Sequence, residues 1–206
     1  MSAVAAILDF LAFSERLKTE LRHSWLSDGR RESVAEHCWQ MALMAMLMHR
    51  ELEHPVDLAR TLRLVIVHDL VEAEVGDVPF FATGEAKTGK AAREARAILG
   101  IRDRLPAPVG GEIHDLWHEY EAGATAEARF ARALDNLEVQ VQHNLADMAT
   151  WEPVEHRLVY GKMERHCAHD AFLAAFCRAV QAQAEAKMAA VGIDVAALRR
   201  EAGAPA

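Results

Sequence analysis

This sequence predicts an all-α helical bundle, and three observations carry the prediction. Apolar residues recur at three- and four-residue spacing through most of the chain. Hydrophobic residues make up 51% of its 206 positions, and only 6 are proline. No segment shows the strict alternation of a half-buried strand, and no internal repeat is present. A chain of this length holds one sizeable core. A single domain over 1–206 with about six to eight helices is therefore expected.

Residues 3–21 read as a first helix with Ile7, Leu8, Leu11 and Leu17 on its apolar side, and 22–29 as a polar loop. Ser33-Val34-Ala35-Glu36 has the form of a capping box, so a second helix starts there. That helix runs through Trp39, Met41, Leu43, Met44, Met46, Leu47 and Met48, apolar nearly all round, and is expected to be central. His37 sits in its first turn. Asp57 can cap a third helix, on which Leu58, Leu62, Val65, Ile66, Leu70 and Val71 face a core, and Gly76 with Pro79 stops it. Residues 80–89, with two glycines, are expected to be a loop that forms a lid or a pocket edge. Helices over 91–99 and 111–121 flank a turn at Leu105-Pro106-Ala107-Pro108. A long helix over 124–148 carries Asp135, Trp151-Glu152-Pro153 breaks the pattern, and a last long helix spans 163–190 before an Ala-rich tail.

Composition excludes several classes. No apolar run approaches the ~20 residues of a membrane span. The apolar N-terminus lacks a basic region and carries Asp9, so it reads as an amphipathic helix rather than a signal peptide. Cys38, Cys167 and Cys177 form no CxxC pattern, which points to free thiols in a reducing, cytoplasmic compartment. A net charge of −8 argues against nucleic-acid polymers as partners. It leaves a single nucleotide open, because a bound cation offsets charge locally.

The third helix poses the chemical question. His68, Asp69, Glu72 and Glu74 interrupt an otherwise apolar helix, and buried charges are costly unless paired or metal-bound. His37, His68, Asp69 and Asp135 lie on three predicted helices that can meet in one core. Two imidazoles and two carboxylates suit one divalent ion of the Mn, Fe, Co, Ni, Zn or Mg type, with positions left open for water and a substrate oxygen.

The H…HD…D order resembles the HD-domain metal-dependent phosphohydrolases. Glu32-Ser33-Val34-Ala35-Glu36-His37, His68-Asp69-x-x-Glu72-x-x-x-Gly76-Asp77-x-Pro79, Leu116–Glu121 and Ala126–Phe130 before Asp135 resemble the 5′-deoxynucleotidase branch of that superfamily. The resemblance spans about residues 7–145, and the helical C-terminal part from about residue 150 diverges from it. It implies metal binding by His37, His68, Asp69 and Asp135, activation of water by Glu72, and work close to the substrate for Asp77, next to Val78 and Pro79. It also implies phosphate release from deoxyribonucleoside 5′-monophosphates by a homodimer. The family places an Arg and a Trp before the metal histidine to orient phosphate and screen sugar; Arg22 and Trp25 are the candidates here, with Arg30 and Arg31 as other possible phosphate contacts.

Two rival functions fit less well. A nucleoside triphosphate or alarmone hydrolase needs several cations near the pocket, and few lie near these motifs. A nucleotide- or metal-sensing module without turnover has no use for a poised base such as Glu72. Plainer roles suit the remaining polar residues: an exposed surface for His114, His118, His166 and His169, solvated lysines at Lys87 and Lys90, solvent or an ion pair for Glu74. On the Asp135 helix, Glu138 can support a metal ligand, whereas His143 lies two turns away and is not expected to act.

Overall fold

A computed structural model describes residues 2–79, 81 and 88–203 of the chain. The predicted 80–89 loop falls almost wholly outside these residues, as does Lys87. The fold is helical as expected, with eight helices of eight residues or more and three single-turn ones among the described residues.

Helix α1 (Ala3–Ser14) ends in a 3-10 turn, Glu15–Lys18, seven residues before the expected boundary at Leu21. Nearly every position of α1 is apolar, so periodicity alone cannot select its inner face. Ala6, Phe13 and Leu17 are buried, whereas Ile7, Leu8 and Leu11 are exposed.

The expected polar loop is instead a β-hairpin. Strand β1 (Leu21–Trp25) pairs antiparallel with β2 (Arg31–Ser33), Leu21 opposite Ser33 and Trp25 opposite Arg31. The inward positions of the hairpin are Arg22, Ser24 and Glu32, all buried. Polar residues at inward positions hide the apolar-polar alternation by which strands are recognised.

Helix α2 (Val34–Met48) starts at the predicted capping box, with both of its reciprocal bonds formed. Only one face is interior: Val34, His37, Met41, Met44, Ala45 and Met48 are buried. Trp39, Leu43, Met46 and Leu47 are exposed, so the helix is not surrounded by protein as its composition suggested.

Asp57 caps α3 (Leu58–Val67) as predicted. The helix stops one residue before His68, and a tight turn leads into α4 (Glu72–Val75). Gly76, at φ 77°, ends α4 in a conformation that L side chains rarely adopt. Val65 is buried but Ile66 is exposed. Helices α5 (Lys90–Arg104) and α6 (Ala107–Ala122) are longer than expected. They pack so closely that a Cβ at Gly110 would collide with the Arg102 carbonyl oxygen.

Helix α7 (Ala126–Leu145) runs through the core, with Leu134 and Leu137 fully buried. Pro153 opens α8 (Pro153–Leu158), which is followed by α9 (Lys162–Cys167), α10 (Ala171–Ala190) and α11 (Val195–Ala202). The expected single last helix is thus two, because the Asp170 carboxylate accepts the N–H groups of Phe172 and Leu173 and restarts the chain as α10. The expected tail is α11, which packs on a small second cluster built by Trp151, Val159, Tyr160, Ala184 and Met188. All three cysteines are free. No described helix is long and apolar enough to cross a membrane.

Candidate active site

The cap of α2 aims the fully buried His37 at the middle of α7. Its Nδ1 lies 2.5 Å from Glu138 Oε2, and its Nε2 lies 3.3 Å from Asp135 Oδ1. His68 stands where α3 ends; its Nδ1 is 2.8 Å from the Val65 carbonyl oxygen and its Nε2 3.0 Å from Asp69 Oδ2. Asp69 Oδ2 is also 3.8 Å from His37 Nε2. The expected quartet therefore converges, with Asp69 supplied by the turn between α3 and α4.

A carbonyl oxygen only accepts, so the neutral His68 carries its proton on Nδ1. Glu138 imposes the same tautomer on His37. Both Nε2 lone pairs then face carboxylate oxygens, and neither nitrogen has a hydrogen-bond partner. Electron-rich atoms converging on one point are what a cation resolves, and imidazoles held through Nδ1 are typical metal ligands. The donor set therefore fits one divalent ion of the predicted kind. Without it, a proton does the balancing: burial and Arg22 oppose charge on His37, but Glu138 and Asp135 push its pKa up to about 10. Burial also works against ionised Asp69, yet His68, His37 and Arg22 hold it down to about 2. Cys38 joins His68 and Asp69 in an overlapping donor set.

Above these candidate ligands lies a cavity of about 220 Å³, with Asp69 and Asp135 in its floor and Glu72, Asp77, Val78 and Pro79 in its lining. Burial first, then Asp69 and Asp77, push the Glu72 pKa up to about 9, and its Oε2 has no hydrogen-bond partner. The Asp77 carboxyl is also raised, chiefly by burial. Glu20 Oε1 accepts the Asp77 N–H at 3.0 Å and fixes the backbone after Gly76.

Arg22 lines the cavity from β1, 3.5 Å from Asp69 Oδ2 and 3.3 Å from Glu32 Oε2. Burial opposes its charge, but Asp69, Glu138, Asp77 and Asp135 raise its pKa further. Trp25 does not line the cavity; its ring lies under the Arg31 guanidinium at 5.4 Å. Arg30 is engaged by Glu36 at 2.6 Å on the surface.

Several lining residues escaped the sequence reading: His23, Lys90, His143, Glu155 and Lys162. Lys90 was expected to be solvated, yet it pairs with Glu94 at 3.4 Å beside the cavity. One signal for His143 was present. Asp135, Asn136, Val139, Gln140 and His143 all line the cavity and recur along one stripe of α7. His143 is nearly buried, and burial lowers its pKa to about 4 despite the pull of Glu155. His114 and His118 lie on the outer surface of α6, as expected.

This combination, a helical core carrying the H, HD and D residues beneath a cavity with a buried carboxyl, defines a class that comparison with known proteins identifies. Residues 14–174 match the family model described as HD domain. The chain belongs to the HD domain family. Among curated proteins, the 5′-deoxynucleotidase HDDC2 of Xenopus laevis is 36% identical over 143 residues, covering 68% of this chain and 69% of that protein. The human protein of that name is 34% identical over 154 residues, covering 74% and 71%. A crystal structure from Magnetospirillum magnetotacticum, described as a predicted metal-dependent phosphohydrolase, superposes with a TM-score of 0.78 at 33% identity, covering 90% of this chain and 94% of that one.

Proposed function

We propose that this chain is a divalent-metal-dependent phosphomonoesterase that hydrolyses deoxyribonucleoside 5′-monophosphates to nucleoside and phosphate. The observation that carries the reading is the convergence of two bare imidazole nitrogens and two carboxylates beneath a cavity that contains Glu72. The similarity to curated 5′-deoxynucleotidases supports the substrate class.

In this reading His37, His68, Asp69 and Asp135 hold one divalent ion. Bound there, such an ion would supply charge to polarise a phosphoryl oxygen and would lower the pKa of water at neutral pH. Glu72 accepts the proton of the attacking water. Burial raises its proton affinity well above that of an ordinary carboxyl, and a divalent ion held beside it would draw it back toward the ionised form that accepts a proton. Arg22 presents a fixed positive charge to phosphate oxygens, and phosphoryl transfer depends mainly on such positioning and neutralisation. Asp77, braced by Glu20, works with Val78 and Pro79 against the sugar. Because Trp25 does not line the cavity, we assign no sugar contact to it. Residues 1–206 act as one domain in a cytoplasmic homodimer; exposed Trp39 (64%) and Leu47 (69%) on α2 support a second copy covering that face.

A panel of ribo- and deoxyribonucleoside 5′-monophosphates, assayed for phosphate release with Mn²⁺, Co²⁺, Mg²⁺ or chelator, tests the proposal. Selective, chelator-sensitive release from deoxyribonucleotides is expected. The cations Lys90 and Lys162 beside the cavity favour a second reading, hydrolysis of longer phosphate chains, so triphosphates belong in the panel. Turnover of triphosphates alone refutes the monophosphate reading.

A further inference from the structure

Facing the same cavity from β1, α7 and α8 is a second convergence of donors. His23 Nε2 lies 3.2 Å from Glu155 Oε1, and His143 Nε2 lies 3.5 Å from the same oxygen. All three donor atoms lie within 4.8 Å of one another. None of these residues belongs to the H…HD…D pattern.

Each donor is held by something other than its neighbours in the cluster. Glu155 is the third residue of α8, and its Oε2 accepts the Glu152 N–H at 2.6 Å, which leaves Oε1 for the imidazoles. His143 is fixed by α7 and by Trp151, whose ring centroid lies 5.5 Å away and whose Nε1–H donates to the His143 carbonyl at 2.9 Å. His23 stands edge-on to Phe81 at 5.2 Å.

One protonated imidazole suffices to balance one carboxylate. A second imidazole directed at the same oxygen adds nothing to that balance. His23 Nδ1, moreover, is buried without a partner, so one of its two nitrogens is poorly served in either tautomer. The donor spacing has a simpler origin. Ligands at ~2.05 Å around a tetrahedral ion stand ~3.3 Å apart, close to the 3.2 and 3.5 Å found. Two imidazoles and a carboxylate are also a donor set that favours zinc-like ions over magnesium or calcium.

We propose that His23, His143 and Glu155 form a second divalent-cation site, for a zinc- or cobalt-type ion, in the wall of the cavity. Three protein ligands leave one tetrahedral position, and it faces the cavity. The chain would then hold two ions, one by the floor residues His37, His68, Asp69 and Asp135 and one in the wall. This assignment does not depend on the phosphatase reading.

Cobalt binding to the full chain tests it, by equilibrium dialysis with metal analysis and by visible absorption, which separates four-coordinate from six-coordinate cobalt. The wild-type chain is expected to take two equivalents. Asp135→Asn should lose the floor ion and keep the strong four-coordinate absorption. His23→Gln and His143→Gln should each lose that absorption, and weaken the second equivalent by more than the roughly 10–100-fold that removal of an outer partner causes. Circular dichroism checks folding; His23 lies on the hairpin away from the main core, so its variant keeps the test open if His143→Gln unfolds. Absence of four-coordinate cobalt absorption from the wild-type chain overturns the proposal, as does full retention of that absorption by folded His23→Gln.

Discussion

Glu138→Gln isolates the contact that sets the His37 tautomer. Both side chains are fully buried, and Glu138 Oε2 lies 2.5 Å from His37 Nδ1. When Nε2 binds a cation, the ring gains partial positive charge, and the Glu138 carboxylate stabilises it. Two unit charges about 4 Å apart interact by ~4 kcal/mol at an effective dielectric of about 20. A third to two thirds of that charge corresponds to roughly 1.4–2.7 kcal/mol, or about 10–100-fold in affinity, the range typical of partners behind a metal ligand. Glutamine keeps the volume and can still accept from Nδ1, so packing changes little. Competition against a chromophoric chelator, with Mn²⁺ or Co²⁺, reads the affinity. An unchanged dissociation constant in a folded variant refutes the claim that Glu138 acts through His37.

Three other variants test the site and its surroundings. Asp135→Ala, which removes one donor and the acceptor of the Tyr120 hydroxyl at 3.1 Å, should abolish floor-site metal binding as read by metal analysis. Glu72→Gln should retain that metal and lose ~10²–10⁴-fold in turnover. In metal-free protein the folded chain keeps the Glu72 proton that the unfolded chain releases above its ordinary 4.5, so stability falls with rising pH until about 9. Thermal unfolding in chelator should therefore show Glu72→Gln stabilised relative to wild type at pH 8 and little changed at pH 4. Gly76→Ala places a side chain at φ 77° and 3.2 Å from Glu20 Oε1. It should cost ~1–3 kcal/mol, read as a Tm lowered by ~2–12 °C; an unchanged Tm would contradict the strain reading.

Much of the candidate metal floor was legible because its residues occupy short local patterns. The Ser33 capping box, the His68-Asp69 pair and Asp57 each act within a turn or two of helix, where spacing dictates direction. The hairpin was not legible, since Arg22, Ser24 and Glu32 point inward and mimic a loop. The break before α10 was hidden because an Asp170 cap inside an apolar run is outweighed in any periodicity window.

By itself, then, the sequence determined the helical class, the starts of α2 and α3, and a donor set whose members each sit on a predicted helix. Only the tertiary structure decided which imidazole nitrogen faces Asp69 and Asp135, because the Val65 carbonyl and Glu138 fix the tautomers from outside the pattern. It alone exposed Trp39 and Leu47, removed Trp25 from the cavity and joined His23, His143 and Glu155 there. The physical reason is separation along the chain. His23 and His143 meet through the packing of β1 on α7, and no local spacing encodes a contact between elements more than a hundred residues apart.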